Sequence, residues 1–167
     1  MIIKNMRWGY DGGGFACGPM EGSTYVESQV ADENGKDMYI LMSRMDDFCK
    51  VEVSEQPLFD MMMEAADLDN DTFNQVLAKV EKLRIENYDF ERESDDPDDY
   101  DEEDEVHQGE ELYDCPEMFE SRFAPAIRLT LKAMDSCYEL QKPTDEDARQ
   151  FAQEYLGKNI EKLNFTL

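Results

Sequence analysis

The first part of the chain shows the two-residue apolar periodicity of β-strands, in runs separated by turn residues. Residues 24–31 place Val26 and Val30 on one face of a strand. Residues 37–45 are apolar on both faces, which predicts a central position in a sheet. Residues 49–54 alternate again, so we expect one face of that strand to contact water. A short strand at residues 2–8 precedes these three.

Turn signals connect the predicted strands. The pair Asn34 and Gly35 predicts a two-residue hairpin turn, because both residue types tolerate positive φ. Asp46 and Asp47 mark the next turn. Together these signals predict a meander of antiparallel strands.

After residue 54 the apolar period changes to that of α-helices, and four stripes predict four helices. We expect Ser54 to cap the first helix, residues 114–117 to form a capping box before the third, and residues 144–147 to cap the fourth. Pro125 should kink or restart the third helix. The four stripes are Leu58, Phe59, Met62, Met63 and Ala66; Phe73, Val76, Leu77, Val80 and Leu83; Phe119, Phe123, Ile127, Met134 and Tyr138; and Ala148, Phe151, Ala152, Tyr155, Leu156, Ile160 and Leu163.

Strands followed by helices predict an α+β fold. A small antiparallel sheet, a meander of three to four strands in the N-terminal half, would pack with about four helices on one of its faces. A chain of 167 residues fits a single domain, residues 1–167. An acidic, flexible and disordered loop at residues 91–111 would lie inside that domain.

The charge of the chain is large and uneven. Its 41 acidic and 16 basic residues give a net charge of -25. Residues 91–114 hold fourteen acids and one base, so the rest of the chain holds twenty-seven acids and fifteen bases. Residues 95–105 cannot form a stable helix or strand, because neighbouring charges repel and nothing apolar anchors them. We therefore expect a solvated loop on a body that is itself acidic.

This charge disfavours several classes of partner. An anionic membrane or a nucleic acid would repel the chain, and no apolar run is long enough to span a bilayer. The N-terminal residues lack the features of a signal peptide. The cysteines lie far apart, so reduced thiols are a simpler interpretation than a zinc cluster; they are Cys17, Cys49, Cys115 and Cys137. We expect a cytoplasmic protein with a basic protein partner.

The sequence offers no catalytic constellation and no cofactor motif. The single histidine, His107, lies in the acidic loop, and no evident base accompanies Cys17. The glycine-rich residues 12–18 lack the lysine of a phosphate-binding loop and the spacing of a dinucleotide fingerprint, which favours a turn. We expect neither enzymatic activity nor a bound cofactor.

Two further patterns have both a functional and a structural interpretation. Residues 67–71 resemble the start of an EF-hand loop, but Thr72 and Ala78 replace the required glycine and glutamate. A helix-capping turn is therefore favoured, and no metal site is predicted. The three methionines at residues 61–63 could line an adaptable groove. Core packing is favoured because two of them belong to an apolar stripe.

The acidic loop is the strongest candidate for a binding site. An extended chain advances about 3.3–3.6 Å per residue, and one strand of B-DNA carries a phosphate every 3.4 Å or so. Residues 95–105 would therefore approach the linear charge density of one DNA strand, and a basic channel could accept them in place of nucleic acid. The acidic residues involved are Asp95, Asp96, Asp98, Asp99, Asp101, Glu102, Glu103, Asp104 and Glu105.

These features favour an acidic binding protein that inhibits a nucleic-acid-handling protein, such as a CRISPR or restriction nuclease, by occupying its basic surface as a nucleic-acid mimic. Acidic inhibitors carried by phages and mobile elements share this composition, and the likeness is one of composition alone. Two alternatives stay open. One is an immunity protein that neutralises a basic toxin, and the other is an acidic structural or adaptor domain without an inhibitory role. The loop could also be a linker that only maintains solubility.

Overall fold

A computed structural model describes residues 3–11, 23–45, 47–66, 68–92, 109–140 and 143–157. The strands are β1 (Ile3–Asp11), β2 (Ser23–Ala31), β3 (Asp37–Met45), β4 (Phe48–Ser54) and β5 (Arg84–Glu91). The helices are α1 (Phe59–Ala66), α2 (Asn70–Leu83), α3 (Ala124–Leu140) and α4 (Asp145–Phe151). Two 3-10 turns, Gly109–Leu112 and Pro116–Glu120, precede α3, and a π-helical turn, Ala152–Leu156, follows α4.

The five strands form one antiparallel sheet in the order β1-β2-β3-β4-β5. Each strand pairs with its neighbour in the chain, so the sheet is a meander with β3 at its centre. The central position of β3 confirms the prediction from its two apolar faces. The predicted α+β class is also confirmed, with one strand more than the sequence indicated.

The additional strand is β5, which pairs with β4 along its whole length. Among its residues only Phe90 is buried. Because β5 lies at the edge of the sheet, backbone hydrogen bonds hold it, and its sequence needs no strong apolar alternation. Both ends of the predicted loop at residues 91–111 lie in regular elements: Glu91 belongs to β5, and residues 109–111 belong to a 3-10 turn. Residues 93–108 lie outside the described residues.

The β2–β3 hairpin has a three-residue loop, so the predicted turn position is right and its length is wrong. The backbone N–H of Asp32 donates to the carbonyl of Lys36 at 2.8 Å, which closes the loop around residues 33–35. Gly35 has a φ of 77°, the left-handed conformation that such a loop requires at its last position. The Asp32 carboxylate accepts hydrogen bonds from the backbone of Asn34 and Lys36, each at 2.8 Å.

The larger apolar core lies between one face of the sheet and the helices α3 and α4. A pair of hydroxyls joins α3 to β2 inside this core. The hydroxyl of Thr130 donates to the carbonyl of Ala126 at 2.7 Å, so the Ser28 hydroxyl, 2.7 Å away, donates to Thr130. Side chains without solvent exposure in this core include Trp8, Val26, Ile40, Val51, Phe123, Ile127 and Met134.

The opposite face of the sheet is also covered, contrary to the expectation of helices on one face. The helices α1 and α2 pack there around a smaller apolar cluster of Tyr25, Leu41, Leu58, Phe59, Met62 and Val80. Glu52 and Ser54 of β4 are buried, although their face was expected to contact water. Glu52 is compensated by Arg84 at 3.4 Å and Lys50 at 3.7 Å. The burial of Met62 agrees with core packing of the methionine run.

The helix boundaries confirm two of the predicted caps and correct two. The Asp69 carboxylate caps α2 by accepting from the Thr72 backbone N–H at 3.0 Å, which confirms the capping interpretation of that turn. Thr144 and Asp147 form a capping box at α4. Residues 114–117 form no such box, because a 3-10 turn begins at Pro116 instead. Ser54 does not cap α1. Its hydroxyl donates to the carbonyl of Gln56.

The third helix restarts next to Pro125, which is one of the two outcomes that the sequence predicted. The chain makes a 3-10 turn up to Glu120, and α3 begins at Ala124, immediately before the proline. Proline is tolerated there because the first turn of a helix has no intrahelical partner for its N–H groups. The predicted positions Ile160 and Leu163 of the fourth stripe lie outside the described residues.

Candidate functional site

The acidic residues proposed as the binding site, Asp95, Asp96, Asp98, Asp99, Asp101, Glu102, Glu103, Asp104 and Glu105, lie outside the described residues, as does His107. We call residues 93–108 the acidic segment. Its two ends are described. Arg92 and Tyr113 form an antiparallel bridge, and the backbone N–H of Asp114 donates to the carbonyl of Glu91 at 3.2 Å. The chain therefore enters and leaves the acidic segment at adjacent points on the sheet edge.

An ion-pair network fixes this base of the acidic segment. Asp135 on α3 receives the guanidinium of Arg44 at 2.9 Å and lies 3.3 Å from Nε of Arg92. The hydroxyl of Tyr113 donates to the same carboxylate. Burial raises the pKa of Tyr113, and the charge of Asp135 raises it further, so the phenol remains a donor at neutral pH. The network joins β3, α3 and both ends of the acidic segment.

An apolar pocket of about 400 Å³ lies beside this network, and we call it the Leu129 pocket. Its apolar wall consists of Leu112, Tyr113, Phe119, Leu129 and Leu131. Glu110, Arg128, Lys132 and Asp135 contribute charged groups to the lining. Arg128 pairs with Glu110 and lies 5.4 Å from the centre of the Phe119 ring. The wall therefore combines α3 with residues that closely follow the acidic segment.

A second concavity, of about 300 Å³, lies between the end of α3 and α4, and we call it the acidic groove. The carboxylates of Glu139, Asp147 and Glu154 line it, and no basic side chain does so among the described residues. Tyr155 and Phe151 form an aromatic wall, with their rings 4.9 Å apart. The groove is thus negatively charged and partly aromatic, and the ammonium of Lys132 already lies 4.9 Å from the centre of the Tyr155 ring, as a cationic group in contact with that wall would.

The described residues are acidic even without the acidic segment. They contain 27 acids and 13 bases, a net charge of -14. Nine of those bases lie within 4.0 Å of a carboxylate in the described part of the chain. Most positive charges are therefore neutralised locally, and the remaining carboxylates determine the field around the body.

Glu27 is a buried carboxylate that the sequence did not single out. It is 3% exposed, and its Oε2 accepts the backbone N–H groups of Leu58 at 2.7 Å and Phe59 at 3.0 Å. Burial raises its pKa to about 7, while the two backbone hydrogen bonds and Arg7 oppose that rise. These contacts give Glu27 a structural role, as the cap of α1 supplied by β2.

The cysteines of the described residues are unreactive in character. Cys49, Cys115 and Cys137 are free and buried. Burial raises the pKa of Cys49 and of Cys137 to about 12, so their thiolates are scarce at neutral pH. Cys17 lies outside the described residues. Within the described ranges, no group of three or more histidine, cysteine or acidic side chains is arranged to bind a metal, and no helix is long and apolar enough to cross a membrane.

No protein-family model matches the chain, and neither any curated protein nor any solved structure matches it. Its role must therefore be inferred from its own charge and geometry. Sequence reasoning identified the acidic segment but missed the Leu129 pocket, the acidic groove and the Asp135 network. The Asp135 network unites residues that are distant in the chain, and the two concavities form where separate elements pack together, so no local pattern signals them.

Proposed function

We propose that this protein binds the basic surface of a nucleic-acid-handling protein and inhibits that protein as a nucleic-acid mimic. The observation that carries the proposal is the distribution of negative charge. The acidic segment carries -10 of the net charge of -25, and the described residues, all of which lie outside it, carry -14. A basic groove evolved to hold phosphates would attract both parts.

The fixed base of the acidic segment supports this proposal. Ordering a chain segment costs roughly 1–2 kcal/mol per residue in conformational entropy. The bridge between Arg92 and Tyr113 already holds the two ends of the segment together, so binding does not have to supply the entropy of bringing those ends together. The segment is also presented from the edge of a sheet rather than from a chain terminus.

The acidic body supports the proposal as well. The acidic groove offers three carboxylates and an aromatic wall to the basic side chains of a partner. Long-range attraction from body and segment together would speed the encounter with a basic partner, and salt would screen that attraction. The body would then contribute affinity in addition to the charge of the segment.

The test begins with identification of the partner by affinity capture from the source cells and mass spectrometry. The purified partner is then titrated with this protein across a salt series, with its nucleic-acid substrate as competitor. We expect affinity to fall as salt rises, and we expect the protein to displace the nucleic acid. A ternary complex in which nucleic acid stays at its normal site would contradict mimicry and indicate an adaptor or an allosteric inhibitor.

Two neutralised variants with equal net charge separate the segment from the body. One replaces the nine acids of residues 95–105 by their amides. The matched control does the same at nine exposed carboxylates of the body, namely Glu33, Asp47, Glu64, Asp71, Glu81, Asp89, Glu120, Glu139 and Asp145. We expect the segment variant to associate more slowly with the partner than the control does. Equal rates would mean that only the total charge matters and that the segment is no specific site.

A further inference from the structure

The Leu129 pocket is an apolar concavity in a chain whose charge is overwhelmingly negative. Its volume of about 400 Å³ falls in the size range of ligand and side-chain binding pockets. Two of the charges in its lining are already satisfied, because Arg128 pairs with Glu110. An occupant would therefore be recognised mainly through apolar contacts, with charge acting around the mouth.

The charge of the whole molecule limits what can approach this pocket. A second copy of the chain would bring another net charge of -25, and an anionic lipid or nucleic acid would also be repelled. A partner with a basic surface would be attracted. Charge complementarity thus favours the same class of partner that we propose for the acidic segment.

The position of the pocket points to the same partner. Leu112 and Tyr113 lie in its wall, and both follow closely on the acidic segment, whose ends meet at the Arg92–Tyr113 bridge. A surface drawn to the segment therefore lies next to the mouth of the pocket. Charge attraction is not directional, so it does not fix one docking register. An apolar side chain held in a pocket fixes that register.

We propose that the Leu129 pocket receives an aromatic or long aliphatic side chain from the basic partner and so fixes the register of the complex. This inference rests on the proposed function, because it assumes the same partner. Leu129 and Phe119 would contact the inserted side chain. The pocket would make the complex specific, and the acidic residues would attract the partner over longer distances.

Two synthetic lysine-rich peptides test the pocket without knowledge of the natural partner. They have blocked termini and differ only at the central residue, which is tryptophan in one and alanine in the other. Calorimetry measures their affinity for the intact chain at low salt and at about 0.5 M salt. We expect both affinities to fall with salt. The tryptophan peptide should bind about tenfold more tightly at either salt, as is usual for an aromatic anchor.

Matched variants test whether the preference for tryptophan arises at the Leu129 pocket. Leu129→Ala should abolish it, whereas Leu68→Ala should leave it unchanged, because Leu68 is an exposed leucine that lines neither the Leu129 pocket nor the acidic groove. Phe119→Leu provides a second pocket variant, and circular dichroism checks that each variant folds. Equal affinity of the two peptides, or equal effects of Leu129→Ala and Leu68→Ala, would overturn the inference.

The peptide results separate this inference from the proposed function. If both peptides bind with strong salt dependence but equal affinity, the pocket inference is wrong while the electrostatic proposal stands. If tryptophan increases affinity but salt has no effect, the pocket binds apolar side chains and the electrostatic proposal is wrong.

Discussion

Glu27 lies between the sheet and α1, and it caps a helix whose first residues are more than thirty positions away in the chain. Most N-terminal caps come from the residue just before the helix. Here the cap ties the helix to a strand, so the start of α1 and its docking on the sheet depend on one carboxyl group. Arg7 reinforces the contact through two hydrogen bonds to Asp60, at 2.9 and 3.0 Å.

Replacing Glu27 by Gln should change how stability depends on pH. Burial raises the folded-state pKa of Glu27 from 4.5 to about 7, so the folded protein binds the proton more tightly than the unfolded chain. The contribution of this group to stability is therefore full below pH 4.5 and is lost as pH rises through 7. The shift corresponds to roughly 3 kcal/mol. Glutamine keeps an acceptor for the backbone N–H groups and does not titrate.

Urea unfolding of wild type and Glu27→Gln at pH 5 and pH 8 measures this effect. Relative to wild type, the variant should be more stable at pH 8 than at pH 5. Comparing the two proteins at each pH removes the titration of the other carboxylates. A difference between the two proteins that is the same at both pH values would show that Glu27 titrates normally in the folded state.

Gly9 is required by a close approach between β1 and α1. A methyl group on Gly9 would lie 2.5 Å from Cζ of Phe59 and 3.1 Å from the sulfur of Met63. Gly9→Ala should therefore destabilise the fold by about 1–3 kcal/mol through overpacking. Denaturant unfolding measures the loss, and the double variant Gly9→Ala with Phe59→Leu should recover part of the stability. Wild-type stability in Gly9→Ala would mean that α1 moves away at no cost.

At the scale of elements, α3 is held on β2 by apolar contacts and by the hydroxyl pair of Ser28 and Thr130. Both side chains are fully buried. Thr130→Val should cost about 1–3 kcal/mol, because the Ser28 hydroxyl then loses its acceptor inside the core. Adding Ser28→Ala removes the hydroxyl that has lost its acceptor, so the double variant should be more stable than Thr130→Val alone. Independent, additive losses in a double-mutant cycle would show that the two hydroxyls do not interact.

The sequence predicted those elements whose own residues carry the apolar pattern of a strand or a helix. The strand β3 is apolar on both faces, and α4 has both a cap and a stripe, so each is recognisable locally. The strand β5 and the cap of α1 could not be predicted in this way. The first depends on hydrogen bonds to β4, and the second depends on Glu27 of β2. The same reason explains the candidate site, since charge density is visible in a sequence, whereas a pocket formed where separate elements pack together is not.

At the scale of the whole molecule, self-repulsion among carboxylates opposes folding, and salt should weaken it. We expect the thermal unfolding temperature to rise between about 0.02 M and 0.5 M NaCl. The body-neutralised control described above should show a smaller rise than wild type, because its remaining carboxylates repel less. Scanning calorimetry measures both proteins. A fall in the unfolding temperature would show that screening of the ion pairs outweighs screening of the repulsion.

The bridge between Arg92 and Tyr113 has a consequence for the evolution of this protein. Because the chain is already closed there, the entropic cost of closing the loop between these two positions grows by only about 0.6 kcal/mol for each doubling of its length. Loop-closure entropy therefore sets only a small penalty on a change in the number of residues between Arg92 and Tyr113. Under the proposed function, selection by a changing partner would then alter the length of this part of the chain while β4, β5 and α3 keep their sequences.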